Sequence, residues 1–169
     1  MDRSVTMRRR VGLSVAGILL AAQPWLAAAM MVTVKATLMA PPPCEINGGR
    51  PIEVEFNEVM TTRVDGKNYQ MPINYTIQCN RAPSNLMKLQ IQGQGASFDS
   101  TVLKTREVPD LGIELRQKNG KLAVGGWLNF TMQNSQDPPE LWAVPVKKNG
   151  ATLKGGDFNA TATMKVAYQ

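Results

Sequence analysis

The chain has 169 residues, with 19 Lys and Arg against 13 Asp and Glu, two cysteines and no histidine. Without histidine there is no imidazole for acid–base catalysis or metal ligation, and two cysteines alone do not build a zinc site. The basic residues are scattered rather than interleaved with aromatics, so nothing resembles a nucleic-acid footprint.

Arg8, Arg9 and Arg10 precede an apolar stretch over residues 11–20, and Ala27, Ala28 and Ala29 follow. A basic start, a short apolar run and small residues at the cut are the marks of an export signal. Residues 1–29 are expected to be removed before Met30. The apolar run is too short to span a bilayer, which takes ~20 such residues. Removal takes away four arginines and one aspartate, so the net charge falls from +6 to +3. The remaining 140 residues make one domain.

The exported chain opens on an alternating arm. Met30, Val32, Val34, Ala36, Leu38 and Ala40 are apolar or small, with Thr33, Lys35 and Thr37 between them. Period two is the strand period. Pro41, Pro42 and Pro43 then form a stiff junction without backbone donors, setting residues 30–43 off from a body beginning at Cys44. Cys44 and Cys79, an even count in an exported chain, predict one structural disulfide.

The body carries only strand-like runs separated by turn residues. Residues 52–56 alternate cleanly, with Glu53 and Glu55 on a solvated face. Ile73, Tyr75 and Ile77 share one face of residues 71–79; Met87, Leu89 and Ile91 mark the next strand. Residues 111–115 lead into Asn119 and Gly120, a type I′ hairpin signal. Residues 122–132 and 141–146 follow, with Trp127 and Trp142 expected in the core. The last twelve residues alternate to the end: Phe158, Ala160, Ala162, Met164, Val166 and Tyr168 face one way, and Gln169 closes the chain. Seven or so short strands without helices predict an all-β sandwich of immunoglobulin-like size. The terminal strand has no later segment to pair with.

Pro42, Pro43, Cys44 and Gly48, the second cysteine Cys79, and Gly155 and Gly156 leading to penultimate Tyr168 resemble the subunits of chaperone–usher pili, above all the small minor pilins of tip fibres. The resemblance covers essentially the whole exported chain. It implies an incomplete immunoglobulin-like sandwich lacking its final strand, with residues 30–43 as a donor-strand arm and residues 44–169 as the pilin domain. It implies a groove beside the final strand, lined by Phe158, Ala160, Ala162, Met164, Val166 and Tyr168, with the Gln169 carboxylate docking on a chaperone. A periplasmic chaperone, an outer-membrane usher and neighbouring pilin subunits are the implied partners. The arm residues Met30, Val32, Val34, Ala36, Leu38 and Ala40 are the implied insert for a neighbour's groove, carried to a cell-surface fimbrium through the periplasm. Two departures stand out: Ala36 where the family usually has glycine, and one extra proline at the junction.

A minor tip adaptor is the favoured role, with rod or terminating subunits as alternatives. A secreted carbohydrate-binding module is the alternative from outside the family. No catalytic residue, metal site, cofactor or small-molecule substrate is expected, since no titratable groups converge.

Overall fold

The computed structural model describes residue 36 and residues 44–80, 82–132 and 138–169. The expected signal segment and all of the arm except Ala36 lie outside the described residues. Every element below belongs to the unit Met39–Gln169.

Ten strands form the body: β1 (Cys44–Ile46), β2 (Met71–Ile73), β3 (Ile77–Cys79), β4 (Leu86–Gly93), β5 (Leu103–Lys104), β6 (Leu111–Gln117), β7 (Gly120–Leu122), β8 (Trp127–Thr131), β9 (Leu141–Lys147) and β10 (Ala162–Tyr168). They assemble into a five-stranded sheet in the order β2-β9-β6-β5 with β7 beside β6, a three-stranded sheet β10-β4-β8, and the pair β1-β3. All pairings are antiparallel. The fold is an all-β, immunoglobulin-like sandwich.

Period two fills the space between the sheets. Met87, Leu89 and Ile91 of β4 share one core cluster with Ile113 and Leu115 of β6, while Leu111 packs in a second cluster with Val64 and Leu153, and all of them are buried. Ile77, Leu141 and Val144 are also fully enclosed. Burying such a side chain stabilises the fold by about 1.5–3 kcal/mol, so this layer dominates the stability.

Residues 71–79, expected as one strand, are two. β2 pairs with β9, whereas β3 pairs with β1. Residues 74–76 carry the chain from one sheet to the other, a corner typical of packed sheets. Tyr75 sits buried at this corner and its hydroxyl donates to the Pro139 carbonyl at 2.6 Å. The expected run over residues 122–132 is likewise split. Gly125 takes φ +77° and donates its N–H to the Ile91 carbonyl at 2.8 Å, after which β8 joins β4.

The hairpin after β6 is present one residue out of step with expectation. Gln117 pairs with Gly120, so the turn residues are Lys118 and Asn119, and Gly120 opens β7 at φ +135°.

The two tryptophans correct a second expectation. Leu128 and Phe130 pack inward from β8, so period two turns Trp127 outward, where it is 45% exposed beneath the Lys88 ammonium at 5.1 Å. Trp142 is half-buried on β9, with Pro72 and Arg116 as its register partners. Neither belongs to the core.

An open groove beside the last strand

β10 is the edge of its sheet, with β4 on one side and no strand on the other among the described residues. Its register runs from Ala162 opposite Gly93 to Tyr168 opposite Met87. The strand is therefore shorter than the twelve-residue alternation suggested. Residues 158–161 keep the alternation of half-buried and exposed side chains but join no ladder.

Among the described residues, the backbone of this segment is tied at Asn159. The Asn159 N–H donates to Glu107 Oε2 at 2.7 Å, and its carbonyl accepts from the Arg106 N–H at 2.9 Å. The Asn159 N–H holds the Glu107 carboxyl below its ordinary range. At the other end the Gln169 N–H donates to the Leu86 carbonyl at 3.1 Å, and Gln169 Nε2 to the Met87 carbonyl at 2.6 Å. Gln169 turns its backbone toward β4, whereas Asn159 is tied to Arg106 and Glu107, beyond β5. Backbone groups alternate in direction along a strand, so within β10 those of Ala162, Met164 and Val166 face away from β4, toward the opposite edge.

Across that edge runs the segment 52–56. Sequence predicts a strand here, and the structure corrects this: the segment belongs to no sheet. Ile52, Val54 and Phe56 nevertheless pack against the core, while Glu53 and Glu55 are exposed. Alternation has set the inward and outward faces, but the hydrogen-bonding neighbour is missing. The strand signal was correct about side chains and wrong about pairing.

Between these two walls lies an apolar groove of about 610 Å³. Ile46, Ile52, Val54 and Phe56 form one wall; Phe158, Ala160, Ala162 and Met164 form the other; Ile91, Leu103, Ile113 and Leu115 lie at the floor. Beyond Phe158 a second cavity of about 740 Å³ continues past Val59, Val64, Val108 and Leu153. Phe56 and Phe158 border both.

Six of the residues expected along the terminal strand fall on this wall or at its end. Phe158, Ala160, Met164, Val166 and Tyr168 are half-buried against the core, and Ala162 lines the groove while staying exposed. Gln169 lies past the strand and ties back to β4 through the bonds above. Cys44 and Cys79 form a disulfide, S–S 2.10 Å, packed against the same core. The Tyr168 hydroxyl lies 3.4 Å from Cys44 Sγ, linking the penultimate residue to the start of the body. The arm residues Met30, Val32, Val34, Leu38 and Ala40 lie outside the described residues; Ala36 is exposed.

Sequence reasoning did not assign the opposite wall, although the alternation of residues 52–56 was visible. Nor did it find Glu107, because a surface glutamate acting on a backbone amide 52 positions away has no local signature.

An exposed, unpaired edge beside an apolar trough is a template for an added strand. Backbone groups supply the affinity, and pockets at alternate positions supply the register.

The model of the fimbrial protein family matches residues 32–169. The fimbrial-like protein YfcR of Escherichia coli (strain K12) is 37% identical over 134 residues, covering 77% of this chain and 75% of that protein. The structure of the P pilus adaptor subunit PapF is similar at a TM-score of 0.56 and 25% identity, covering 77% of this chain and 98% of that one. The P pilus rod subunit PapA shares the fold at a TM-score of 0.59 and 18% identity, over 75% of this chain and 99% of that one. The sandwich of this chain, with β10 at an edge that leaves room for a further strand, and the family match agree: the chain belongs to the fimbrial protein family and is a pilus subunit.

Proposed function

We propose that the chain is a minor tip or adaptor pilin that polymerises by donor-strand exchange in a fimbrium serving cell adhesion. Residues 1–29 direct export and are removed, residues 30–43 form the donor arm, and residues 44–169 form the acceptor domain. In the periplasm a chaperone lends a strand to the groove and binds the Gln169 carboxylate. At the outer-membrane usher the arm of the next subunit replaces that strand.

The observation that carries this reading is the pair of alternating, unladdered segments, 52–56 and 158–161, facing each other across apolar space. A self-sufficient sandwich would have a strand there. Phe158, Ala160, Ala162, Met164, Val166 and Tyr168 would line the acceptor, while Met30, Val32, Val34, Ala36, Leu38 and Ala40 would enter the groove of the preceding subunit. Burying Val32, Val34 and Leu38 contributes roughly 5–9 kcal/mol before ordering costs.

The adaptor role rests on the resemblance to PapF. A terminating subunit would have a blocked groove. Here the groove is open and continues into the second cavity beyond Phe158, which favours a subunit that is extended in turn.

The test is to express residues 30–169 with and without the matched chaperone. Alone, the chain should aggregate; with the chaperone, or with a peptide shaped like a partner's arm, it should stay soluble. Val34→Asp places a charge in the neighbour's groove and should stop fibre growth while the chaperone complex still forms. Normal fibre assembly by Val34→Asp would end the arm reading.

A further inference from the structure

The outer face of the sheet β10-β4-β8 looks away from the core, and side-chain parity decides what it shows. Met87, Leu89 and Ile91 face inward on β4, so Lys88, Gln90 and Gln92 face outward. Register then puts Trp127, Gln90 and Lys165 in one row across the three strands. Asn129, Lys88 and Ala167 form the row beside it. Two strand spacings, about 10 Å, separate Trp127 from Lys165.

The first row is held in place. Gln90 is buried although it lies on the outer face, and its Nε2 donates to the Gly125 carbonyl at 2.6 Å. Its Oε1 accepts from Gln92 Nε2 at 2.7 Å, which orients the Gln92 amide and leaves Gln92 Oε1 without a partner among the described residues. Lys88 Nζ stands 5.1 Å from the centroid of the Trp127 ring. The ring is thereby steadied, yet 45% of the residue stays exposed. Asn129 and Lys165 are exposed as well.

Charge on this face has one sign. Lys88 and Lys165 are diagonal neighbours, about 7–8 Å apart on adjacent strands. No outward position of the three strands carries a carboxylate. The C terminus lies past Leu86 at one end of the sheet, and among the described residues no ion pair joins it to either lysine. Asp99, in a loop outside the sheet, is already bound to Lys121 and Thr101.

An exposed indole, free amide groups and two ammonium groups without ion pairs suit a ligand with an apolar face, hydroxyls and negative charge. An acidic sugar has all three. A peptide fits worse, because the backbone groups of a sheet point in its plane, and a chain lying on the face finds no ladder for its own. We propose that this face binds an acidic glycan. One sugar ring stacks on Trp127, its hydroxyls meet Asn129 and Gln92, and a carboxylate or sulfate reaches Lys88 and Lys165. The site is on the far side of the sheet from the core, so it does not depend on the strand-exchange reading.

The test uses the exported chain, residues 30–169, kept soluble by an arm peptide or by its chaperone, with a heparin-derived hexasaccharide as probe. Calorimetry gives affinity, and tryptophan emission reports stacking, since Trp127 and Trp142 are the two indoles of residues 30–169. The hexasaccharide should bind and change the emission. Its desulfated, carboxyl-reduced form should bind about tenfold more weakly, having lost its charge contacts. Trp127→Ala should weaken binding about tenfold, and Lys165→Gln about threefold, as for an exposed ion pair. Trp127→Phe keeps a ring and should retain most of the affinity while losing the emission change. Lys104→Gln, the same charge change at an exposed position of the other sheet, should leave binding as it was.

If Lys104→Gln weakens binding as much as Lys165→Gln, net charge alone attracts the probe and the site falls. Undiminished binding by Trp127→Ala, equal binding of the neutral sugar, or no binding at all overturns the proposal. So does tighter binding of polyglutamate or of phosphatidylglycerol vesicles, which would make the occupant an acidic peptide or a membrane.

Discussion

The rings of Phe56 and Phe158 stand 6.0 Å apart, centroid to centroid, at 40° to each other. One ring comes from each wall of the groove, and no backbone ladder joins the segments that carry them. At this point side-chain packing does what a strand pair does elsewhere in the sandwich. A tilted aromatic pair of this spacing is favourable by about 0.5–1.5 kcal/mol beyond its buried area.

Removing one ring should therefore loosen the mouth of the groove. Phe158→Ala is expected to lower the unfolding free energy of the peptide-complemented subunit by about 2 kcal/mol. That is below the about 3–5 kcal/mol typical of a fully buried Phe, because this ring is only half-buried. Phe158→Leu should recover about half. Urea unfolding followed by tryptophan fluorescence measures both, and a change under about 0.5 kcal/mol for the alanine variant would show that the rings do not hold the walls.

The disulfide should matter more than any single core side chain. Cys44 and Cys79 are 35 positions apart, and closing a loop of that size stabilises by about 4 kcal/mol on the chain-entropy account. The bond also fixes β1 against β3 and positions the sulfur that receives the Tyr168 hydroxyl. Replacing both cysteines by serine should shift the urea midpoint well downward, and reductant should do the same to wild type while leaving the serine variant unchanged.

Much of the sandwich is legible in the sequence because period two reports which face is buried. Leu111, Ile113 and Leu115, and likewise Met87, Leu89 and Ile91, declare themselves by alternation, and all are buried. Alternation is silent on pairing. Residues 52–56 and 158–161 alternate as clearly as β4 does, yet neither joins a ladder, because hydrogen-bond partners are a property of the whole fold. The same limit explains Trp127: its hydrophobicity argued for the core, and the parity of β8 put it outside. The hairpin at Lys118 and Asn119 slipped by one residue because Gln117 pairs with Gly120, a register the Asn–Gly signal alone does not specify. The groove was legible only as an implied place beside the last strand, and its second wall was not.

Tyr75 should make the fold sensitive to alkaline pH. Its hydroxyl is enclosed at the corner between β2 and β3, and burial raises its pKa above the usual tyrosine value. The raised folded-state value means that the unfolded chain loses this proton first. Stability is thus fully present below about pH 10, the unfolded value, and is lost as pH rises above it. Tyr75→Phe should remove this dependence. It should also cost about 1 kcal/mol at neutral pH, because the Pro139 carbonyl loses its donor. Urea titrations of both proteins between pH 8 and 11 test the claim, and parallel curves would refute the assignment to Tyr75.

Glu107 should govern how firmly the start of the terminal segment is held. Its carboxylate accepts the Asn159 N–H, the neighbouring Arg106 N–H donates to the Asn159 carbonyl, and residues 158–161 have no ladder to fall back on. The Asn159 N–H, which stabilises the carboxylate, depresses the Glu107 pKa. A depressed folded-state value contributes above the unfolded pKa and is lost as pH falls through the folded one. Acidification should therefore release Asn159 before the sandwich unfolds. Glu107→Gln should show the released state at neutral pH, since a neutral amide is a weaker acceptor than a carboxylate. Hydrogen–deuterium exchange over residues 157–161 provides the readout: about three- to tenfold faster exchange in Glu107→Gln, with the β4 amides unchanged. If the mutant's segment exchanges at the wild-type rate at neutral pH, the backbone is held by packing of Phe158 rather than by Glu107. Because this segment forms one wall of the groove, its release should also alter the rate at which an inserted strand is captured.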